Sequence, residues 1–145
     1  MSGSSGFSIL GIDHIGIATT DLDKASTFWN IIGMNRNPID ELVQDQGVKI
    51  RFFEFDKHIS QARVELLEPT GKDTPIAKFI SNHGVGIQQV CLEVKGLEKL
   101  LEHLKQNQVE LIDEIPRKGA HDCIIAFVHP KSTGGVLVEL SERSQ

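Results

Sequence analysis

GIDHIGIATTDLDKA (residues 11–25) and GIQQVCLEVKGLEKL (residues 86–100) together decide the fold. Set one over the other at an offset of 75, Gly11/Gly86, Ile12/Ile87, Leu22/Leu97 and Lys24/Lys99 are identical. Ile15/Val90, Ile17/Leu92 and Asp23/Glu98 are conservative. Chance supplies about one identity in fifteen positions at ordinary residue usage. A second match follows: VELLE (64–68) and VELSE (138–142) agree at four of five positions at an offset of 74. Two distant segments sharing nearly one offset indicate a duplicated module. We read module one as residues 8–68, a linker as 69–85 and module two as 86–142, forming a single domain.

Each module carries the same local pattern. Residues 9–18 alternate with β-branched side chains and read as a strand. Asp21 is placed to cap a helix carrying Leu22, Ala25, Phe28, Trp29 and Ile32 at helical spacing, with Gly33 as its stop. Strands near 36–43, 47–56 and 61–68 follow. Module two repeats the order, with a strand at 86–95, a helix at 97–107, and strands near 109–114, 122–129 and 135–141. The linker offers a short amphipathic helix through Ile76, Ala77, Phe79 and Ile80. The expected fold class is therefore α+β, two βαβββ modules forming a curved mixed sheet.

Strand parity then sorts chemistry from packing, because residues two apart share a face. Ile15 and Ile17 share one face and His14 takes the other; Val90 and Leu92 share one and Gln89 takes the other. Val64 and Leu66 oppose Glu65, as Val138 and Leu140 oppose Glu139. With helices on the aliphatic faces, His14, Glu65, Gln89 and Glu139 all project from the opposite side. Two carboxylates brought close repel unless a cation lies between them. One imidazole, one amide oxygen and two carboxylates suit a divalent ion such as Co, Zn, Ni, Mn or Mg.

Composition bounds the rest. The chain has 145 residues, 39% hydrophobic and 24% charged, the balance of an ordinary globular protein. A net charge of −5 disfavours nucleic acid as a partner. No apolar run reaches membrane-spanning length. The head, residues 1–7 with MSGSSG at its start, lacks signal-peptide features and reads as disordered and tag-like. Cys91 and Cys123 lie in apolar stretches, as expected of buried, reduced thiols in a cytoplasmic protein.

Several stretches resemble the vicinal oxygen chelate superfamily (glyoxalases, bleomycin-resistance proteins, dioxygenases), and within it the methylmalonyl-CoA epimerase branch. They are IDHIGIA (12–18), QGVKI (46–50), VELLEP (64–69), TPIAKFI (74–80), EIPRKGA (114–120) and AFVHPKSTGGVLVEL (126–140). The resemblance implies a glyoxalase-like fold, a homodimer, and a divalent metal held by His14, Glu65, Gln89 and Glu139. It implies an isomerase that moves a proton alpha to the thioester carbonyl of an acyl-CoA, with Glu139 as the base. The alternatives are a glyoxalase I-like lactoylglutathione lyase or a non-catalytic small-molecule-binding protein. Two departures stand out. The family's Gly-Ile-His-His reads Gly86-Ile87-Gln88-Gln89, so an amide replaces the usual imidazole ligand. Ile50 stands where some epimerases carry glutamate, leaving the second base open between Glu65 and a bound water. Lys131 and Ser132, in the turn before the last strand, and the basic pair Arg117 and Lys118 are the expected substrate-binding residues.

Overall fold

The computed structural model of the chain describes residues 6–144. Residues 1–5 of the expected head lie outside them; Phe7 packs against a core cluster. The elements run β1 (Ser8–Ala18), α1 (Leu22–Ile31), β2 (Asn35–Arg36), β3 (Glu41–Val43), β4 (Val48–Glu54), β5 (Arg63–Pro69), α2 (Pro75–His83), β6 (Gly86–Lys95), α3 (Leu97–Gln106), β7 (Arg117–Lys118), β8 (Cys123–Val128) and β9 (Leu137–Arg143). Among the described residues, no helix is long and apolar enough to cross a membrane. The chain forms two compact units, one of residues His14–Gln88 and the other joining the chain up to Asp13 with residues from Gln89 onward.

In the His14–Gln88 unit, β5 runs parallel to β1 and antiparallel to β4. β2 and β3 both pair antiparallel with β4. The single strand expected near 36–43 is thus two short pieces. The break has a local cause: Pro38 has no N–H to offer a ladder, and Asn37 accepts the Ile39 N–H in an Asx turn. Leu22, Phe53, Val64 and Leu66 form the core of this unit, with Ile17, Ala25, Trp29 and Met34 packed on it. Helix α1 starts as expected, Asp21 accepting the Lys24 N–H at 3.1 Å. Its packed stripe is Leu22, Ala25 and Trp29. Phe28 and Ile32, expected in the core, are 59% and 53% exposed, and Phe28 meets Trp29 edge-on.

Two of the quoted motifs meet at one glycine in this unit. Gly47 has φ of +61°, and a Cβ there would lie 2.4 Å from Thr74 Cγ2. Only glycine satisfies both the left-handed backbone and that approach. Its carbonyl accepts the Thr70 N–H, and Thr74 caps α2 by accepting the Ala77 N–H.

The other unit repeats the pattern. β9 runs parallel to β6 and antiparallel to β8, and β7 pairs antiparallel with β8. Val94, Leu97, Leu100, Leu101, Ala126, Val128 and Leu140 form its helix-side core. Cys123, Ile125 and Phe127 cluster on the other face. The strand expected near 109–114 is reduced to one bridge, Leu111 to Val128, because the Ile112 and Asp113 N–H groups both turn onto the Phe127 carbonyl. Both cysteines are buried, each thiol within 3.8 Å of a backbone carbonyl oxygen.

Candidate functional site

The two modules place their polar pairs by the same register. On β5, Arg63 lies opposite His14, so Glu65 sits one same-face step further along. On β9, Leu137 lies opposite Gln89, so Glu139 sits one same-face step further along. Across the next ladder, Phe52 faces Glu65 and Phe127 faces Glu139. Each pair therefore projects from the sheet face opposite its helix, beside an aromatic ring, as strand parity predicts. His14, Glu65, Gln89 and Glu139 are 5%, 2%, 6% and 6% exposed. Burial of polar groups this deep requires partners, and each pair supplies them. His14 Nδ1 lies 3.1 Å from Glu65 Oε2. Gln89 Nε2 donates to Glu139 Oε1 at 2.6 Å.

Glu65 has a further partner that sequence reasoning missed. Arg63 directs Nη2 at 2.9 Å and Nε at 3.3 Å onto the same Oε2. Its guanidinium lies 5.8 Å from the Phe52 ring centroid, within cation–π range. Residues two apart on a strand share a face, and that spacing was the available signal.

The two repeated words also carry a second pair of glutamates. Glu68 closes VELLE, and its Oε2 accepts the Leu22 N–H at the start of α1, at 3.0 Å. Glu142 is its repeat mate, and its two carboxylate oxygens accept the Gly96 and Leu97 N–H groups at the start of α3, each at 3.0 Å. In each word the first glutamate serves the polar pair and the later one caps the module's own helix. A carboxylate there is favoured by the exposed N–H groups and the helix dipole.

The expected substrate-binding residues divide by position. Arg117 lies opposite Ile125, which puts it on the Phe127 and Glu139 face. Its guanidinium lies 5.6 Å from the Phe127 centroid, and its Nε lies 3.2 Å from Asp113 Oδ1. Lys118 lies opposite Ile124, on the helix face, and is exposed. Lys131 is exposed in the turn before β9. The Ser132 hydroxyl accepts the Glu110 N–H at 2.8 Å. The N–H groups of residues 131, 132, 133, 135 and 136 bond within that turn.

Arg51 sits on the helix face of β4, 5% exposed. It grips Asp40 with two bonds of 3.0 and 2.9 Å, and reaches Asp23 and Ser26 on α1. The hydrogen bonds from Arg51 hold the Asp40 carboxyl below the usual carboxylate range, and those to Asp40 hold Arg51 more firmly protonated than usual. This network ties the turn between β2 and β3 to α1 from behind the polar face.

Duplicated modules of this topology, with a buried polar pair in each, define a glyoxalase-type α+β protein. Residues 13–127 match the model of the Glyoxalase/Bleomycin resistance protein/Dioxygenase superfamily, and the chain belongs to that superfamily. The human mitochondrial methylmalonyl-CoA epimerase is 36% identical over 135 residues, covering 90% of this chain and 73% of the relative. A crystal structure of methylmalonyl-CoA epimerase from Mycobacterium tuberculosis superposes with a TM-score of 0.87 at 36% identity, covering 94% of this chain and 90% of that one. A methylmalonyl-CoA epimerase in complex with methylmalonyl-CoA and NH4+ superposes at 0.86 with 28% identity, covering 94% and 96%.

Proposed function

We propose that the protein is an isomerase of the methylmalonyl-CoA epimerase kind, which inverts the carbon between a thioester and a carboxylate. The observation that carries the proposal is the doubled register. Each module buries one pair of ligand-capable side chains at the same strand positions, in a chain whose similar proteins include named epimerases.

A divalent metal fits the donors within each module. Oxygen and nitrogen ligands at about 2.0–2.2 Å from an ion lie roughly 3 Å from one another. The 3.1 Å between His14 Nδ1 and Glu65 Oε2 is of that size. His14, Glu65, Gln89 and Glu139 would hold the ion, Gln89 by turning its amide oxygen inward. Bound there, it supplies positive charge that stabilises negative charge developing on oxygen.

The chain's own groups then carry the proton. Glu139 accepts the hydrogen at C2 of the acyl group, and the C–H electron pair spreads onto the thioester oxygen as an enolate. Reprotonation on the opposite face gives the other epimer. Arg117, on the Glu139 face, is suited to the substrate's free carboxylate by its planar, bidentate donors. Lys131 and Lys118, both exposed, are suited to the phosphates of coenzyme A, and Ser132 to hydrogen bonding nearby. The acyl-CoA partner, the homodimeric state and a cytoplasmic location belong to the same proposal.

The test is deuterium incorporation. Methylmalonyl-CoA of one configuration is incubated with the protein in D2O, with and without added cobalt. Label at C2 and appearance of the other epimer are expected, both lost in Glu139→Gln. A protein that leaves C2 unlabelled but turns over the glutathione hemithioacetal of methylglyoxal would replace this reading with the lyase.

A further inference from the structure

From the contacts around Phe127, we infer that Asp113 is the positioning residue for Arg117. It sets the guanidinium to take the free carboxylate of a 2-carboxyacyl thioester beside Glu139. The inference rests on the epimerase reading and deepens it, naming what makes the site select that class of thioester. Every residue it uses belongs to module two.

Asp113 is clipped to β8 through both backbone groups of one residue. Its N–H donates to the Phe127 carbonyl at 3.2 Å, and its Oδ2 accepts the Phe127 N–H at 2.9 Å. Both backbone groups of Phe127 therefore point away from β9. Phe127 lies opposite Glu139. In an antiparallel ladder this makes the two a non-hydrogen-bonded pair, the kind whose side chains stand closest. The other oxygen of Asp113, Oδ1, lies 3.2 Å from Arg117 Nε. One carboxylate thus ties the guanidinium to the residue that neighbours Glu139.

The tie decides where the cation stands. Arg117 lies opposite Ile125, two residues from Phe127 on the same face. Its guanidinium is 5.6 Å from the Phe127 centroid, so the side chain leans out of its own row into that of Phe127 and Glu139. Asp113 meets it at Nε, which leaves the terminal fork of Nη1 and Nη2 for a second carboxylate. The exposures agree: the Asp113 side chain is 16% exposed and that of Arg117 is 38% exposed. The anion is shut in, and the cation is open to a ligand.

Module one handles its arginine differently. Arg63 also lies over an aromatic ring, Phe52, but bonds Glu65 of its own polar pair. In module two the ion-pair partner of the arginine over the ring is Asp113. An arginine on the ligand-capable carboxylate steadies that carboxylate. One held by a separate anion presents its remaining donors to an incoming group. Held in advance, Arg117 loses little side-chain freedom when substrate arrives, so the contact is not offset by ordering. The carboxylate carbon of the substrate is bonded directly to C2, so a cation beside Phe127 draws C2 toward Glu139. A thioester lacking that carboxylate gains nothing from the fork.

The test is calorimetric titration with malonyl-CoA, which carries the carboxylate, and propionyl-CoA, which lacks it. The proteins are wild type, Asp113→Asn, Arg117→Ala and the double variant. Wild type should bind malonyl-CoA more tightly by about tenfold or more, the size of a charge-assisted contact. Asp113→Asn keeps an amide oxygen for the Phe127 N–H but removes the anion from Nε. It should erase most of the preference by weakening malonyl-CoA alone, with propionyl-CoA within about twofold of wild type, the scatter of a contact left untouched. Once Arg117→Ala has removed the guanidinium, adding Asp113→Asn should change malonyl-CoA binding by no more than about twofold. A structural role alone would weaken both thioesters together and act again in the Arg117→Ala background; either result overturns the inference. Arg117→Ala leaves the Asp113 clip on Phe127 in place and carries the test even where Asp113→Asn does not fold: an undiminished preference for malonyl-CoA in that variant overturns the inference too. Wild type that inverts methylmalonyl-CoA yet shows no preference between the two thioesters overturns it and leaves the epimerase reading standing. Wild type that neither exchanges nor inverts methylmalonyl-CoA removes both.

Discussion

Replacing Glu142 with alanine should destabilise the protein more than the same change at its repeat mate, Glu68, and the difference can be worked from the caps. Helix α3 begins at Gly96, whose φ is 76° and which has no side chain to cap with. Glu142 fills the role from β9, each oxygen accepting one N–H at 3.0 Å. Two hydrogen bonds to a charged, half-buried acceptor are worth about 2–3 kcal/mol together. Helix α1 is better insured. Asp21 caps it locally, and Glu68 adds one bond, to Leu22 N–H. Its loss should cost about 1 kcal/mol. For a chain of this length these figures correspond to melting temperatures lowered by about 6–10 °C for Glu142→Ala and about 3–4 °C for Glu68→Ala. Glu142→Gln is a finer probe. It keeps one acceptor and turns an NH2 toward the second N–H, so it should recover less than half of the loss. Circular dichroism melts at neutral pH measure all three. Equal shifts for the two alanine variants, or full recovery in Glu142→Gln, would show that these carboxylates do not act as helix caps.

Two further outcomes are expected. The bonds from Arg51 lower the Asp40 carboxyl, so the proton-free form is the one stabilised in the folded state. That stability is present above the ordinary carboxylate range and is lost as pH falls through the lower folded value. Asp40→Asn should therefore weaken the protein at neutral pH yet lose less than wild type between about pH 5 and pH 2.5, near and below the ordinary carboxylate pKa; parallel urea midpoints across that range would refute the pair's role. Gln89→His exchanges a weak amide donor for an imidazole and should tighten cobalt or zinc binding by at least about tenfold. Calorimetric titration of the metal-stripped protein measures this, and unchanged affinity would mean that position 89 does not face the ion.

The duplication and its consequences for parity were legible in the linear chain. Side-chain alternation is a local property of a strand, so the sequence alone determined that His14, Glu65, Gln89 and Glu139 point away from the helix faces of their modules. It also determined the start of α1 at Asp21 and of α2 after Thr74, because a cap and its helix are neighbours along the chain. What depends on register between distant segments was not legible. The place of Arg63 and Glu65 beside His14 is set by the parallel register of β5 on β1. Glu68 and Glu142, read as part of the repeated words, acquire a task only when β5 and β9 lie beside the first turns of α1 and α3. Helix periodicity placed Phe28 and Ile32 in the core, yet α1 packs Leu22, Ala25 and Trp29 on the sheet and leaves those two exposed. Local pattern specifies which way a side chain points. Tertiary structure specifies what it meets, because hydrogen-bond partners and covered area are set by segments the local pattern cannot see.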